Sequence, residues 1–546
     1  MLLLSLLAPL VQFACIAASP AIRFGKTTLV GLDIPTFQQD LFAGIPFAEP
    51  PLGDLRLRPP VLKTSLAAGT FNASTFGPAC LQTAVPGGLT PDSMSEDCLT
   101  INVLRPTGTQ TNAKLPVMFW TYGGGFYSGF SEIYNASSLV AQSVTRGTPV
   151  IYVGFNYRLG PLGFPQGQEA DNRGALNLAL RDQLAALEWV QLHIGAFGGD
   201  KDKVTVFGES AGSIMTTILF LNSPITSLAR AAIFESGSQA TLPLYTPQRR
   251  ETTWEKFVRG VPSCASLATS GSTFGCLRSA NTTEIFDGLS AAMAAGIEQF
   301  PWQPVIDGPG GFIPDLPSVL FKRGQFARLP FIAGTNLDEG TSFTDPTVNS
   351  SAGIFESLVA QYSPSVYPPT LDKSILALLK LYPDIPSLGS PFNTGNETFG
   401  LNSQYKRTAA ILGDLWFHSQ RRLWMETAAH AGVPTFAYLF TQPIVGGSPA
   451  LGVSHGSEIL YVYGAPVDPS PSSMLMSQLM PNYWISFATS LSPNDGLGLS
   501  RPEWPQFTPN NKVVIQLNGA NTTVIPDDYR KEQMASINSD PAIWHH

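Results

Sequence analysis

Short apolar runs recur along the chain, separated by longer segments in which apolar residues return at helical spacing. Short runs that are apolar almost throughout, without alternating polar residues, predict strands buried on both faces of a sheet. Residues 175–194, between the second and third runs, show helical periodicity, with Asp182 and Glu188 expected on the solvent face. The predicted strands are LPVMFWTY (115–122), PVIYVGFNY (149–157), KVTVFG (203–208), AAIFES (231–236), LPFIAGT (329–335) and PTFAYLF (434–440).

The succession of strand, helix and strand predicts an α/β protein whose mostly parallel central sheet is covered by helices on both faces. No internal repeat, heptad series or Gly/Pro-rich linker divides the 546 residues, so we expect a single catalytic domain over residues 19–546. Residues 342–400 are richer in Pro, Ser and Thr and contain the helical stretch SILALLKLY. We interpret this segment as a peripheral helical cap insertion, with simple surface elaboration as the alternative.

The first 18 residues, MLLLSLLAPLVQFACIAA, form an apolar run without a charged side chain and end in small residues suited to cleavage. They predict a signal peptide, and therefore a secreted, extracellular protein. A membrane anchor is the alternative, but Pro9 and Gln12 interrupt a run that is already marginal for a span of about 20 residues. No comparable run follows and the C-terminus is polar, so we expect no stable membrane insertion.

Charged residues make up only 13% of the chain, well below the roughly 25% of ordinary globular proteins. N-linked glycans would add polar cover in the secretory pathway, and the chain carries six acceptor sequons. The formal net charge is -8 and Lys and Arg are nowhere clustered, which argues against a nucleic-acid partner. The sequon asparagines are Asn72, Asn135, Asn281, Asn349, Asn396 and Asn521.

Removal of Cys15 with the signal peptide leaves four of the five cysteines, an even set that allows three pairings. Pairing sequence neighbours, Cys80 with Cys98 and Cys264 with Cys276, is the most economical arrangement. Each crosslink would close a short loop and contribute about 3 kcal/mol in the chain-entropy model. Free buried thiols are the alternative.

Two segments match the pattern GxSxG, at Gly208–Gly212 around Ser210 and at Gly452–Gly456 around Ser454. The pattern alone is weak in a chain with 50 glycines, so the surrounding sequence must decide. Ser210 follows the strand-like VTVF and precedes the helix-like SIMTTILFL, which is the strand-turn-helix setting of a nucleophile elbow, whereas Ser454 lacks it. Ser210 is therefore the candidate nucleophile, and an ordinary helix-capping serine is the alternative.

An acyl-transfer intermediate needs preorganised backbone donors around its negatively charged oxygen. The triplet Gly123-Gly124-Gly125 ends the predicted strand VMFWTY and can approach a substrate closely because it has no side chains. We predict that the N–H groups of Gly124, Gly125 and Ala211, the residue after the candidate nucleophile, form this oxyanion hole. A flexible glycine turn is the alternative.

In folds that use a nucleophile elbow, an acid and then a histidine follow the serine along the chain. His193 precedes Ser210, His418 and His430 fall in helical sequence, and we expect the terminal His545 and His546 to be disordered. This leaves His455, in the glycine-bearing loop LGVSHGSE, as the candidate base. The acid is Asp338 or Glu339 in the loop NLDEG after the strand FIAGT, and spacing alone does not separate these neighbours.

With these elements placed, the chain resembles the type-B carboxylesterase/lipase family of fungal lipases, carboxylesterases and cholinesterases, from about Ala43 to Phe507. One departure is His193, where the family commonly has asparagine, and only local packing is affected. The matching stretches are GIPFAEPPLGDLR, SEDCLTINV, WTYGGGFYSG, NYRLGPLGF, FGGDKDKVTVFGESAGS, QPVIDG, AGTNLDEGT and GVSHGSEI.

The resemblance implies the α/β-hydrolase fold and a carboxylic ester hydrolase in which Ser210 is the nucleophile, His455 the base and Glu339 the acid. It also implies the disulfides Cys80–Cys98 and Cys264–Cys276. Two-step acyl transfer through an acyl-enzyme needs no metal or organic cofactor, and no zinc-type cluster appears in the sequence. A non-catalytic, neuroligin-like binding protein is a remote alternative, because all three triad positions are filled.

The substrate is expected to be a small-molecule or lipid ester, and the oligomeric state is open. The loop between Cys80 and Cys98 is too short for a long lid helix and has no aromatic residue, which favours soluble esters without strong interfacial activation. Phe126, Phe300 and Trp302 resemble the family's substrate-pocket positions, with core packing as the alternative. A lipase or sterol esterase and a feruloyl-type esterase therefore remain alternatives to a carboxylesterase for soluble aliphatic esters.

Overall fold

The computed structural model describes residues 19–83, 89–296, 298–364 and 370–546. The predicted signal peptide lies outside them. The strands are β1 Ala21–Phe24, β2 Thr27–Val30, β3 Leu32–Ile34, β4 Gln39–Pro46, β5 Gly69–Asn72, β6 Thr100–Pro106, β7 Leu115–Thr121, β8 Ile151–Phe155, β9 Gly199–Glu209, β10 Ala231–Glu235, β11 Phe331–Asn336, β12 Thr435–Phe440, β13 Val513–Leu517 and β14 Thr523–Pro526.

The helices follow the strands closely in sequence, so that most strands of the second half are reached by a helical connection. They are α1 Ser137–Thr145, α2 Gly160–Gly163, α3 Gly167–Asn172, α4 Leu178–His193, α5 Ala211–Ile218, α6 Glu251–Gly260, α7 Phe274–Ser279, α8 Thr282–Ala294, α9 Pro317–Lys322, α10 Ser351–Tyr362, α11 Thr370–Leu381, α12 Gln404–Gly413, α13 Ser419–His430, α14 Ile459–Val462, α15 Pro471–Ser490 and α16 Lys531–Ser539.

An eleven-stranded sheet joins most of the strands in the order β14-β13-β12-β11-β10-β9-β7-β8-β6-β4-β3. The run from β13 to β8 is parallel throughout, and antiparallel strands close both edges. A small second sheet has the order β1-β2-β5. The predicted α/β class and the mostly parallel central sheet flanked by helices are confirmed.

All six predicted strands occur, and they are six of the seven strands of the parallel run, β7 to β12. Strands β8, β10, β11 and β12 are buried at every position, which explains why their sequences are apolar throughout instead of alternating. The carboxyl ends of adjacent parallel strands meet along one edge of a sheet. The loops after β7, β9, β11 and β12 therefore gather at that edge.

Helix α4 occupies most of the segment predicted to be helical, but the expected exposure of Asp182 is wrong. Asp182 is fully buried and its carboxylate forms a 2.6 Å ion pair with Arg158. A paired charge can be buried because the guanidinium replaces the lost water. His193, at the end of α4, packs against the rings of Phe24 and Trp189, and burial lowers its pKa.

The four cysteines form two disulfides, Cys80–Cys98 and Cys264–Cys276, as the pairing of sequence neighbours predicts. All six sequon asparagines are exposed, so the predicted glycan sites are sterically accessible. Helices α10 and α11 lie in the segment predicted to be a cap insertion, and residues 365–369 between them are outside the described part. In the described residues, no helix is both long and apolar enough to cross a membrane.

Candidate active site

Ser210 lies on the sharp turn between β9 and α5, at the carboxyl end of a central parallel strand. Its backbone angles, φ 55° and ψ −127°, are strained for a residue that has a side chain. The turn needs glycine at Gly208 and Gly212, because a Cβ on either would overlap the carbonyl oxygen of Thr121 in β7. This is the geometry that presents a serine hydroxyl outward from a nucleophile elbow.

His455 joins Ser210 to Glu339 although the three residues are far apart in sequence. Its Nε2 lies 2.7 Å from Ser210 Oγ, and its Nδ1 lies 2.6 Å from Glu339 Oε2. A carboxylate only accepts hydrogen bonds, so Nδ1 of the neutral ring holds the proton and donates it to Glu339. Nε2 is then left to accept the hydroxyl proton of Ser210, which is what a general base requires.

The two neighbouring carboxylates of the loop after β11 have separate environments. Glu339 Oε1 accepts the N–H of Asn336 at 2.7 Å, so this carboxylate is held from one side while its other oxygen contacts His455. Asp338 points elsewhere and accepts hydrogen bonds from Ser390 Oγ and from the N–H groups of Phe392 and Val453, at 2.8 to 2.9 Å. Asp338 therefore joins three loops, and Glu339 contacts the histidine.

A further carboxylate, Glu209, reaches the same imidazole from the residue before Ser210. Its Oε1 lies 3.2 Å from His455 Nε2. Burial by itself would lower the pKa of His455, but the negative charges of Glu209 and Glu339 outweigh it and raise the pKa above its ordinary value. Burial also raises the pKa of Glu209. Glu209, the second residue of the GxSxG pattern, was not predicted as a site residue from the sequence.

Two more buried glutamates lie behind this group. Asn336 Nδ2 and Ser236 Oγ donate hydrogen bonds to Glu458, and Trp484 Nε1 donates to Glu235 at 2.7 Å. Burial is the main cause that raises the pKa of both carboxyls. Of these two, only Glu458 is among the charges that raise the pKa of His455.

The other histidines and the second GxSxG serine lie apart from the triad. Ser454 takes part in the turn before His455, where its carbonyl accepts Asn336 Nδ2 at 2.9 Å. His418 Nδ1 lies 3.0 Å from Thr335 Oγ1 inside the protein. The expected disorder of the terminal pair is wrong, because His545 and His546 are buried and His546 Nδ1 contacts Gln420 Nε2 at 2.6 Å.

The glycine triplet lies directly against the serine. A Cβ on Gly123 would be 2.8 Å from Ser210 Cβ, and Gly124 and Gly125 have positive φ angles of 105° and 62°. Ser128 N–H donates to the Gly124 carbonyl at 3.0 Å and fixes the loop. No acceptor among the described residues takes the N–H groups of Gly124, Gly125 or Ala211, so these three donors remain available for a substrate oxygen.

Of the three aromatic residues predicted to line the pocket, Phe300 is only half-buried, and its ring lies against the glycine loop. Its ring would lie 3.0 Å from a Cβ on Gly125. Phe126 and Trp302 are 1% and 0% exposed and pack in the core, so neither can touch a substrate in this conformation. Their apolar sequence surroundings are compatible with the substrate pocket and with the core, and in the folded chain both rings lie in the core.

Aromatic rings that the sequence analysis did not single out form the wall around the histidine. The rings of Phe343 and Phe417 lie 4.9 Å and 4.8 Å from the His455 ring. Trp416 packs between Phe343 and Phe300 at 5.3 Å and 6.0 Å. This wall excludes water from one side of the imidazole and offers apolar surface to a substrate.

Three comparisons relate the chain to known proteins over nearly its whole length. A model of the carboxylesterase family matches residues 19–537. Lipase 2 of Geotrichum candidum is 34% identical over 540 residues, which cover 92% of this chain and 93% of that protein. A secreted triacylglycerol lipase of Gibberella zeae is 34% identical over 563 residues, covering 95% and 90% respectively. The crystal structure of Aspergillus niger EstA matches with a TM-score of 0.82 at 25% identity, over 97% of this chain and 99% of that one.

Proposed function

The chain belongs to the carboxylesterase family and is a carboxylic ester hydrolase, and on this premise we propose that it works through an acyl-enzyme formed on Ser210. The Ser210 hydroxyl attacks the ester carbonyl carbon while His455 Nε2 takes its proton. Glu339 keeps the ring in the required tautomer and stabilises the imidazolium. His455 then protonates the departing alcohol, and water repeats the sequence to release the acid.

The observation that carries this proposal is the unbroken chain of short contacts from Ser210 Oγ through His455 to Glu339, at 2.7 Å and 2.6 Å. The N–H groups of Gly124, Gly125 and Ala211 are the proposed donors to the negatively charged oxygen of the intermediate. Glu209 adds a second carboxylate beside Nε2, at the position where the imidazolium proton appears. Positive charge on His455 is therefore stabilised from two sides during the attack.

The test is hydrolysis of a soluble p-nitrophenyl ester by Ser210→Ala, with Ser454→Ala as the matched control. Both substitutions remove one hydroxyl from a GxSxG segment, but only Ser210 contacts His455. We expect Ser210→Ala to lose at least about 10³-fold in kcat and to escape labelling by a fluorophosphonate probe, while Ser454→Ala keeps both. Near wild-type activity of Ser210→Ala would refute the assignment.

We propose that the enzyme acts outside the cell. The predicted signal peptide, the two disulfides and the exposed sequons support this. Two similar proteins, from Gibberella zeae and Botryotinia fuckeliana, are named secreted lipases. Expression of the full chain in a secreting fungal host should yield an extracellular protein that begins near Ser19 and loses mass on treatment with an N-glycosidase. Retention of residues 1–18 in a membrane fraction would contradict this.

We further propose soluble esters, rather than emulsified lipids, as preferred substrates. The supporting feature is the Cys80–Cys98 loop, whose described residues contain only the short 3-10 turn Pro91–Ser93. The predicted lack of a lid also involves residues 84–88, which lie outside the described part. A lipase for water-insoluble esters is the second candidate, since several relatives are named lipases.

Rates measured across the solubility limit of p-nitrophenyl esters of increasing chain length distinguish these two candidates. A smooth saturation curve through the limit supports the preference for soluble esters. A sharp rise in rate when an emulsion forms would instead favour the lipase.

A further inference from the structure

A cavity of about 220 Å³ lies beyond the aromatic wall of the active site. Phe300 and Trp416 line it, and these same rings connect to the catalytic centre. Phe300 lies against Gly125 of the glycine loop, and Trp416 packs on Phe343, which contacts His455. The cavity is therefore continuous with the wall that an acyl group bound at Ser210 would follow.

The floor of the cavity is polar and charged, in contrast to the aromatic wall. Arg250 lines it and is only 2% exposed. Its Nε donates to Glu298 Oε2 at 2.9 Å, while Arg249 Nη1 donates to Glu298 Oε1 at 2.8 Å. Two guanidinium groups thus share one carboxylate, which leaves one net positive charge at this end of the cavity.

One donor of Arg250 is left over. Among the described residues, no acceptor takes its buried Nη1 hydrogens. Burial lowers the pKa of this guanidinium, although arginine stays charged in proteins. A buried charge that is only partly paired is unfavourable, and a negative charge in the neighbouring cavity would offset it. An alkyl chain end would instead seal the charge away from water without pairing it.

We propose that this cavity binds the far end of the acyl group and that Arg250 pairs there with a carboxylate, so that the enzyme prefers half-esters of dicarboxylic acids. This inference rests on the proposed function, because the acyl group is placed by its bond to Ser210. A terminal carboxylate beside the Arg250 guanidinium balances the net charge that Glu298 leaves. A neutral hydroxyphenyl end accepts a hydrogen bond but does not balance the charge.

The test compares kcat/KM for p-nitrophenyl half-esters of dicarboxylic acids with the methyl-ended esters of the same chain length, in a series of increasing length. At the length that reaches the cavity we expect the carboxylate-ended ester to be preferred by about 10- to 100-fold, the range of a charge-assisted hydrogen bond. The preference should decrease as salt is added, because the cavity is open to solvent at its rim. A ratio near one at every length in the wild-type enzyme would overturn the proposal.

Two substitutions locate the preference. Arg250→Gln should bring the ratio to about one. Arg249→Gln removes the other guanidinium from Glu298, and with it the net charge, but leaves Arg250 in the cavity wall, so the ratio should fall only in part. A ratio unchanged in Arg250→Gln would overturn the proposal. Because each ratio is taken within one variant, a general loss of active enzyme cancels.

If Arg250→Gln does not fold, Ala360→Trp carries the test. Ala360 lines the cavity and is exposed, so a large side chain there can fill the cavity without replacing a core residue. In Ala360→Trp the ratio of carboxylate-ended to methyl-ended ester should fall to about one, and a retained preference would overturn the proposal. In the wild-type enzyme, a hydroxyphenyl-ended ester that is preferred as strongly as the carboxylate-ended ester would also overturn it. Ser210→Ala, assayed alongside, separates the two levels: its retained activity refutes the proposed function, while its inactivity with a wild-type ratio of one refutes the subsite alone.

Discussion

Glu339→Gln and Asp338→Asn each replace a carboxylate by its amide at adjacent residues. The structure predicts that the first lowers activity and the second lowers stability. Glu339 contacts His455 Nδ1 at 2.6 Å and also accepts the Asn336 N–H at 2.7 Å. In Glu339→Gln, the side-chain oxygen can keep the Asn336 bond, and the new amide then faces Nδ1 as a donor. The proton of the neutral ring then moves to Nε2, and in this tautomer Nε2 cannot accept the hydroxyl proton of Ser210.

The loss of kcat in Glu339→Gln has two causes: His455 loses its Nδ1-protonated tautomer, and the imidazolium loses a negative charge beside it. A triad in which the carboxylate is replaced by its amide loses about 10⁴-fold in kcat while its geometry stays intact. We expect Glu339→Gln to lose about 10³- to 10⁴-fold in kcat, with Glu209 still supplying one negative charge beside the ring. Its unfolding transition should stay close to that of the wild type.

Asp338→Asn should behave in the reverse way. Asp338 Oδ1 accepts from Ser390 and Phe392, and Oδ2 accepts from Val453, so an amide nitrogen must face one of these donors. Losing a hydrogen bond to a buried charged group costs about 1.5 to 3 kcal/mol of stability. The folded fraction of this variant should keep kcat within about tenfold of the wild type, because the contacts of the triad are untouched.

The assay combines thermal unfolding with kcat on a soluble p-nitrophenyl ester, corrected for active enzyme by titration with a fluorophosphonate. A small loss of kcat in Glu339→Gln, or a loss of thousands-fold in Asp338→Asn with unchanged thermal stability, would refute this division of roles.

Further predictions concern the electrostatics, the oxyanion loop and a disulfide. Because His455 acts as a base only when neutral, activity is lost as the pH falls through its raised pKa. Glu209→Gln removes one cause of the raised pKa and should move the acidic limb of the kcat/KM profile down by about one pH unit. An acidic limb that stays in place or moves to higher pH would contradict this. Gly124→Ala should lose about 10² to 10³-fold in kcat through displaced donors, and the control Gly432→Ala, with φ 75° and open space around it, should not. Replacing Cys264 and Cys276 together by serine should lower the free energy of unfolding by up to about 3 kcal/mol with kcat unchanged, and an equal loss of kcat would show that this loop shapes the site.

Much of the site could be predicted because local sequence and strand order restrict it strongly. The VTVF strand, the glycines around Ser210 and the following helix form a strand-turn-helix unit whose geometry is set within a few residues. The order of serine, acid and histidine then follows from loops at one edge of a parallel sheet. By contrast, Asp338 and Glu339 are equivalent in sequence, and only the positions of Ser390 and Val453, more than fifty residues away, separate them.

The fold class and the pairing of neighbouring cysteines could be predicted from the sequence, because they depend on short-range pattern and on the order of strands. Ser210 as nucleophile and the glycine loop as oxyanion hole are predictions of the same kind. Tertiary packing sets what surrounds these residues, because those contacts join distant segments. It moved Trp302 into the core, buried Asp182 against Arg158 and brought Glu209 beside His455. Burial and charge pairing are properties of the packed chain, so residues of the same type have different roles according to which neighbours replace their water.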